Sequence, residues 1–177
     1  QVELLPGAIG YIFISEFRES TSLEVLDVLE RLKQAEMLAL ILDIRNNPGG
    51  VEGSAKNIAS QFLPKGLFMY ELDRKGNRTD WPIQEGGIAT QDLPVAVIVN
   101  EFTTGIAEVL AGTLQDTGRA TVLGIQTPGE ASGNSFLELS DGSAILLAVS
   151  RWYTPTGTLI RGIGVAPDLE VPMTELD

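Results

Sequence analysis

Leu38-Ala39-Leu40-Ile41-Leu42-Asp43-Ile44, followed at once by Arg45-Asn46-Asn47-Pro48-Gly49-Gly50, is the stretch on which the fold turns. Its apolar residues show no alternation, the mark of a strand covered on both faces in a parallel sheet. The glycine pair then ends the strand. Upstream, residues 8–15 read as another strand, rich in β-branched and aromatic side chains. Between the two, Thr21 and Glu24 have the spacing of a capping box with Thr21 as N-cap. Leu23, Leu26, Leu29 and Leu32, with Val25 and Val28, place an apolar stripe on a helix running to Ala35. The unit is strand, helix, strand, with the right-handed crossover such units adopt.

The same reading continues outward. A helix is predicted over 54–63 and a hairpin over 70–81 with Lys75-Gly76-Asn77 at its tip. A third buried strand spans 93–99, a glycine-containing turn follows, and a helix is expected over 105–116. A short strand at 120–123 comes next, then a hairpin joining 136–139 to 144–150 through Asp141-Gly142. The last 25 residues are punctuated by proline and glycine and are expected to wrap the sheet edge. No internal repeat or linker divides the chain. The prediction is one α/β domain over residues 1–177, with a mixed, partly parallel sheet and flanking helices.

Composition bounds the chemistry. The 177 residues include 12 Lys and Arg against 24 Asp and Glu, a net charge of −12 with no basic run. That makes the chain a poor candidate for binding nucleic acid or anionic membranes. With no cysteine and no histidine, disulfides, thiol catalysis, a Ser-His-Asp triad and Cys or His metal sites are all excluded. No metal or cofactor is expected. No apolar run approaches the roughly 18 residues of a membrane span. Nucleophilic chemistry is left to Ser or Thr with a Lys or carboxylate partner. Gln1 is not an initiator Met, so the chain is expected to be a piece of a longer protein.

Two strand ends carry the candidate site. In Val99-Asn100-Glu101-Phe102-Thr103-Thr104-Gly105-Ile106-Ala107-Glu108, a buried strand turns into a helix. A helix N-terminus there favours developing negative charge; equally, Thr104 or Gly105 is a plain N-cap with Glu108 in the first turn. After the strand at 38–44, Gly49 and Gly50 let backbone amides approach a substrate carbonyl, or simply form a tight turn.

The two pieces occur together and in order, within further matching strings. These include Gly10-Tyr11-Ile12-Phe13-Ile14-Ser15-Glu16-Phe17, Ala107-Glu108-Val109-Leu110-Ala111-Gly112-Thr113-Leu114-Gln115-Asp116-Thr117-Gly118-Arg119-Ala120, Asp141-Gly142-Ser143-Ala144, Tyr153-Thr154-Pro155-Thr156-Gly157 and Gly162-Ile163-Gly164-Val165-Ala166-Pro167-Asp168. In these the chain resembles the core of the carboxyl-terminal processing (tail-specific) serine protease family. The resemblance implies a crotonase-like or Clp-protease-like core, with a PDZ domain upstream that captures substrate C-termini. It implies peptide hydrolysis by a Ser with a neutral Lys as base, and an extracytoplasmic location. Gly49 and Gly50 match the family's oxyanion glycines, Ile106 follows the nucleophile position, and Asp116 and Arg119 match positions that help order the site. By themselves, those last two read as an ion pair at a helix end.

The dyad itself is substituted. Gly105 stands where the family has its Ser, and Glu130, in Thr127-Pro128-Gly129-Glu130-Ala131, where it has its Lys. The expected function is therefore a catalytically degenerate family member that retains binding of polypeptide C-termini or extended peptides. A second reading is an active peptidase using a substitute hydroxyl such as Thr103 or Thr104 with Glu130 as base; Ser132 and Ser135 lie nearby. A third is crotonase-like acyl-thioester chemistry on the same glycines.

Overall fold

The structure, a computed structural model, describes residues 1–89 and 93–172. In chain order the elements are β1 (Val2–Leu5), β2 (Ile9–Phe13), α1 (Thr21–Gln34), β3 (Ala39–Asp43), α2 (Glu52–Phe62), β4 (Leu67–Asp73) and β5 (Arg78–Pro82). Then come β6 (Val95–Val99), α3 (Ile106–Asp116), β7 (Thr121–Gly124), β8 (Ser132–Glu138), β9 (Ala144–Tyr153) and β10 (Leu169–Glu170).

The main sheet has the order β1-β2-β3-β6-β7-β10. β1 is antiparallel to β2, and every other neighbour is parallel. β3 and β6 hold the centre, but the expectation of strands covered equally on both faces is corrected: Leu40, Leu42, Val95, Val97 and Val99 share one face and are buried, whereas Ile41, Ala96 and Ile98 on the other face are only half-buried. Leu42 lies opposite Val97. Three parallel steps, β2 to β3, β3 to β6 and β6 to β7, each cross over through a helix, and α2 packs between α1 and α3. Phe62, Leu110 and Leu114 are fully buried, each contributing about 1.5–3 kcal/mol by leaving water.

A second, antiparallel sheet has the order β5-β4-β9-β8. Both of its predicted hairpins form. Asp73 accepts the N–H of Lys75 and Asn77 at one tip, and Asp141 that of Ser143 at the other.

Several expectations are corrected. Ser20, not Thr21, precedes α1, and it makes no side-chain cap. Thr21 Oγ1 instead accepts from the Arg18 N–H and donates to the Glu16 carbonyl, tying down the approach to the helix. Leu23 is 69% exposed; the buried stripe is Val25, Val28, Leu29 and Leu32. α2 begins at Glu52, two residues before the predicted start. β1 is not among the expected strands: it is only four residues long and lies largely exposed at the edge of the sheet. The C-terminal segment does reach the sheet edge, where β10 pairs with β7.

Parallel strands all point the same way, so the ends of β3 and β6 open onto one side of the sheet. That crevice is where open α/β sheets place their sites.

Candidate active site

The loops after β3 and β6 are laced together by side-chain amides. Asn46 and Asn100, 54 residues apart, exchange two bonds: Asn46 N–H to Asn100 Oδ1 and Asn100 Nδ2–H to Asn46 Oδ1, each 2.9 Å. Asn46 takes φ +58, which Asn tolerates better than most residues. Buried Asn47 donates from Nδ2 to the Ile14 carbonyl and accepts the Gly49 N–H, while its own carbonyl accepts the Thr104 N–H at 2.9 Å. Thr103 is fully buried, its hydroxyl donating to the Ile44 carbonyl at 2.9 Å and accepting from the Asn100 N–H. Thr103 is a structural strut between the loops. Thr104 is half-buried.

Gly105 caps α3 with φ 62 and ψ −130, a left-handed turn that side chains occupy only under strain. Such a sharp strand-to-helix turn is the backbone of a nucleophile elbow. Here nothing projects from it. A Cβ would still fit, its nearest neighbour being the Pro48 carbonyl oxygen at 3.5 Å.

Among the described residues, the Gly50 and Ile106 N–H groups make no hydrogen bond within the chain. They flank the elbow, since Gly49 packs so closely that a Cβ on it would lie 3.3 Å from the Ile106 nitrogen. The expectation for Gly49 as a donor is corrected: its N–H is bonded to Asn47 Oδ1 at 2.8 Å. Gly50 must be glycine for a separate reason, because at φ +125 a Cβ would meet the Phe17 carbonyl oxygen at 2.1 Å.

Glu108 is the residue that composition and spacing undersold. Its carboxylate, fully buried one turn into α3, accepts four hydrogen bonds. Thr127 Oγ1 and the Gly129 N–H bond to Oε1, each at 2.6 Å, and the Glu130 and Gly105 N–H groups bond to Oε2 at 2.8 and 3.1 Å. Burial pushes its carboxyl above the ordinary range against the pull of those four bonds. One side chain thus fixes the backbone of both substituted positions. The Glu130 side chain is exposed and has no hydrogen-bond or ionic partner among the described residues. Ser132 Oγ bonds to Asn134 Oδ1, and Ser135 is exposed.

Asp116 and Arg119 do not join this cluster. α3 separates them from Gly105 by about 15 Å of helix. The expected ion pair between them is also absent. Asp116 accepts from the Thr154 and Thr156 hydroxyls, and Arg119 donates to the carbonyls of Phe62 and Ala89.

A mixed α/β sheet whose strand ends carry an elbow at a helix N-terminus, with unpaired amides on either side, has the backbone arrangement that acyl-transfer hydrolases use. The sequence narrows this further: the profile of peptidase family S41 matches residues 8–171, and the chain belongs to that family. It is 38% identical over 164 residues to a carboxyl-terminal-processing protease of Synechocystis sp., covering 92% of this chain and 38% of that one. It is 37% identical to carboxyl-terminal-processing peptidase 2, chloroplastic, of Arabidopsis thaliana, covering 95% of this chain and 34% of the relative. Among solved structures, a photosystem II D1 C-terminal processing protease superposes with a TM-score of 0.87 at 33% identity, covering 96% of this chain and 45% of that one. The chain therefore spans between a third and a half of the length of these relatives.

Proposed function

We propose that this domain holds extended polypeptide, chain ends included, at the elbow between β6 and α3 without cleaving it. The observation that carries the reading is Gly105: an elbow with no reactive group, beside two N–H donors left free at Gly50 and Ile106. A peptide carbonyl or terminal carboxylate accepting from both would be gripped as an oxyanion is gripped. With no alcohol at position 105 and an exposed carboxylate at position 130, no covalent step follows.

The names of the relatives, which specify carboxyl-terminal processing, support chain ends as the ligand class. A PDZ-type segment upstream of Gln1 and an extracytoplasmic compartment belong to the same reading. Among the described residues no helix is long and apolar enough to cross a membrane. No observation favours the acyl-thioester reading. The substitute-hydroxyl reading loses Thr103, whose proton is already given to the Ile44 carbonyl.

The test is incubation with a panel of unstructured peptides, read by mass spectrometry for cleavage and by titration for binding. Saturable binding without cleavage is expected. Cleavage that vanishes in Thr104→Ala would overturn the proposal in favour of a threonine nucleophile.

A further inference from the structure

The base of the β8–β9 arm carries a feature the elbow does not use. β4 pairs with β9 only over residues 150–153, so residues 144–149 are held by β8 alone. A two-stranded ribbon without cover is marginal in water. Yet this one presents Leu147 and Val149 at 45% and 47% exposure. Gly133 pairs with Ser150 and Asn134 with Ala148, leaving Val149 as a bulge that re-aims the strand.

Below it opens a cleft of about 730 Å³, walled by Leu72, Leu147 and Val149 and by Arg74, Arg151 and Arg161. That volume lies within the range of ligand pockets. The charge pattern is what singles it out. Of the chain's eight arginines, four pair with carboxylates and Arg119 bonds to backbone carbonyls. The remaining three have no side-chain partner among the described residues, and all three line this cleft. Asp73 also borders it, but its carboxylate is occupied by the Lys75 and Asn77 N–H groups and by Asn77 Nδ2. In a chain of net charge −12, three unpaired guanidinium groups gathered around apolar walls complement a ligand that is anionic at one end and apolar along its length.

We infer that this cleft takes the free carboxyl end of a polypeptide with apolar last residues, its carboxylate among the three arginines and its side chains against Leu72, Leu147 and Val149. The inference rests on the reading that the domain binds extended chains, and adds a second place of contact. Ser132, which pairs with Arg151, is two residues from Glu130, so the cleft and the elbow are joined by the start of β8.

The test is amide-resolved NMR titration of the 177-residue chain with an N-acetylated hexapeptide of alanine, valine and leucine, as free acid and as C-terminal amide. Free acid should shift the amides of residues 147, 149 and 151, and the amide form should bind at least about tenfold more weakly. The double variant Arg151→Gln with Arg161→Gln, both sites exposed, should bring the free acid down to the affinity of the amide. Equal affinity of acid and amide in the unaltered protein would overturn the inference, as would decanoate binding tenfold more tightly than the peptide. Shifts at Gly50 and Ile106 with none at residues 147–151 would overturn the cleft and leave the elbow standing. Shifts at residues 147–151 alone would support the cleft and overturn the elbow.

Discussion

The carboxylate of Glu108 accepts the backbone N–H of Glu130 at 2.8 Å. The same oxygen accepts the N–H of Gly105 at 3.1 Å, so one atom sets the distance between the two positions where the family resemblance puts a nucleophile and its base. Neither position carries a serine or a lysine, and the backbone of both is held by this one carboxylate.

Replacing an oxygen of that carboxylate by an amide nitrogen loosens this hold. In Glu108→Gln, whichever way the amide is turned, its N–H group faces at least one backbone N–H donor: Gly129 on one side, Gly105 and Glu130 on the other. That donor then loses its acceptor, at about 1–3 kcal/mol for an unsatisfied group. Urea denaturation should show a loss of about that size, and the amides on the side the nitrogen takes should exchange faster with solvent. A variant as stable as the unaltered protein would show that Glu108 does not hold the two segments.

The pH dependence has a definite sign. Desolvation raises the Glu108 carboxyl from its ordinary 4.5, outweighing the bonds from Thr127, Gly129, Glu130 and Gly105. The folded chain therefore keeps a proton that the unfolded chain has lost. The stability this contributes is complete below the unfolded value and declines as pH rises through the folded one. The stability gap between the unaltered protein and Glu108→Gln should narrow from pH 4 upward. A gap that is flat or widening with pH would contradict the assignment.

Arg119 makes a different kind of bridge. Phe62 ends α2, and its carbonyl is one of the four that a helix leaves unbonded at its C-terminus. Arg119 Nε donates to it at 3.0 Å, and Nη2 donates to the Ala89 carbonyl at 2.6 Å. Arg119→Ala removes both donors and should cost about 1–3 kcal/mol. Arg119→Lys, with a point charge in place of a planar fork, should recover only part of it. Thermal unfolding of the three proteins checks the ranking, and equal stability of Ala and Arg at this position would refute it.

Much of the frame was legible because it rests on local patterns. The runs at 38–44 and 93–99 do not alternate, so parallel central strands were the natural reading, and the glycines at 49, 50 and 105 marked where the backbone turns sharply. What escaped is long-range. The Asn46–Asn100 exchange joins residues 54 apart, and nothing in either neighbourhood announces the other. Glu108 read as an ordinary first-turn acid because its partners at 127–130 reach it only after the chain has returned through β7. Asp116 and Arg119 looked like an ion pair from spacing alone. The turn at Gly118, with φ +65, sends them to opposite neighbours.

The elbow can be refilled, and the outcome has a predicted pH profile. Gly105→Ser has room, with the Pro48 carbonyl oxygen at 3.5 Å from the new Cβ. At φ 62 and ψ −130 it should nevertheless destabilise the fold by about 1–3 kcal/mol. Glu130 is exposed, so a lysine placed there keeps a pKa near the ordinary value of about 10.4. Only its neutral form can take the serine proton. Hydrolysis of an unstructured peptide by Gly105→Ser with Glu130→Lys should therefore rise about tenfold per pH unit from pH 7 towards 10. It should stay absent in either single variant. If the folded double variant cleaves nothing at pH 10, the Gly50 and Ile106 amides are not aimed at a tetrahedral oxyanion, and the grip proposed for peptide carbonyls at this elbow falls with them.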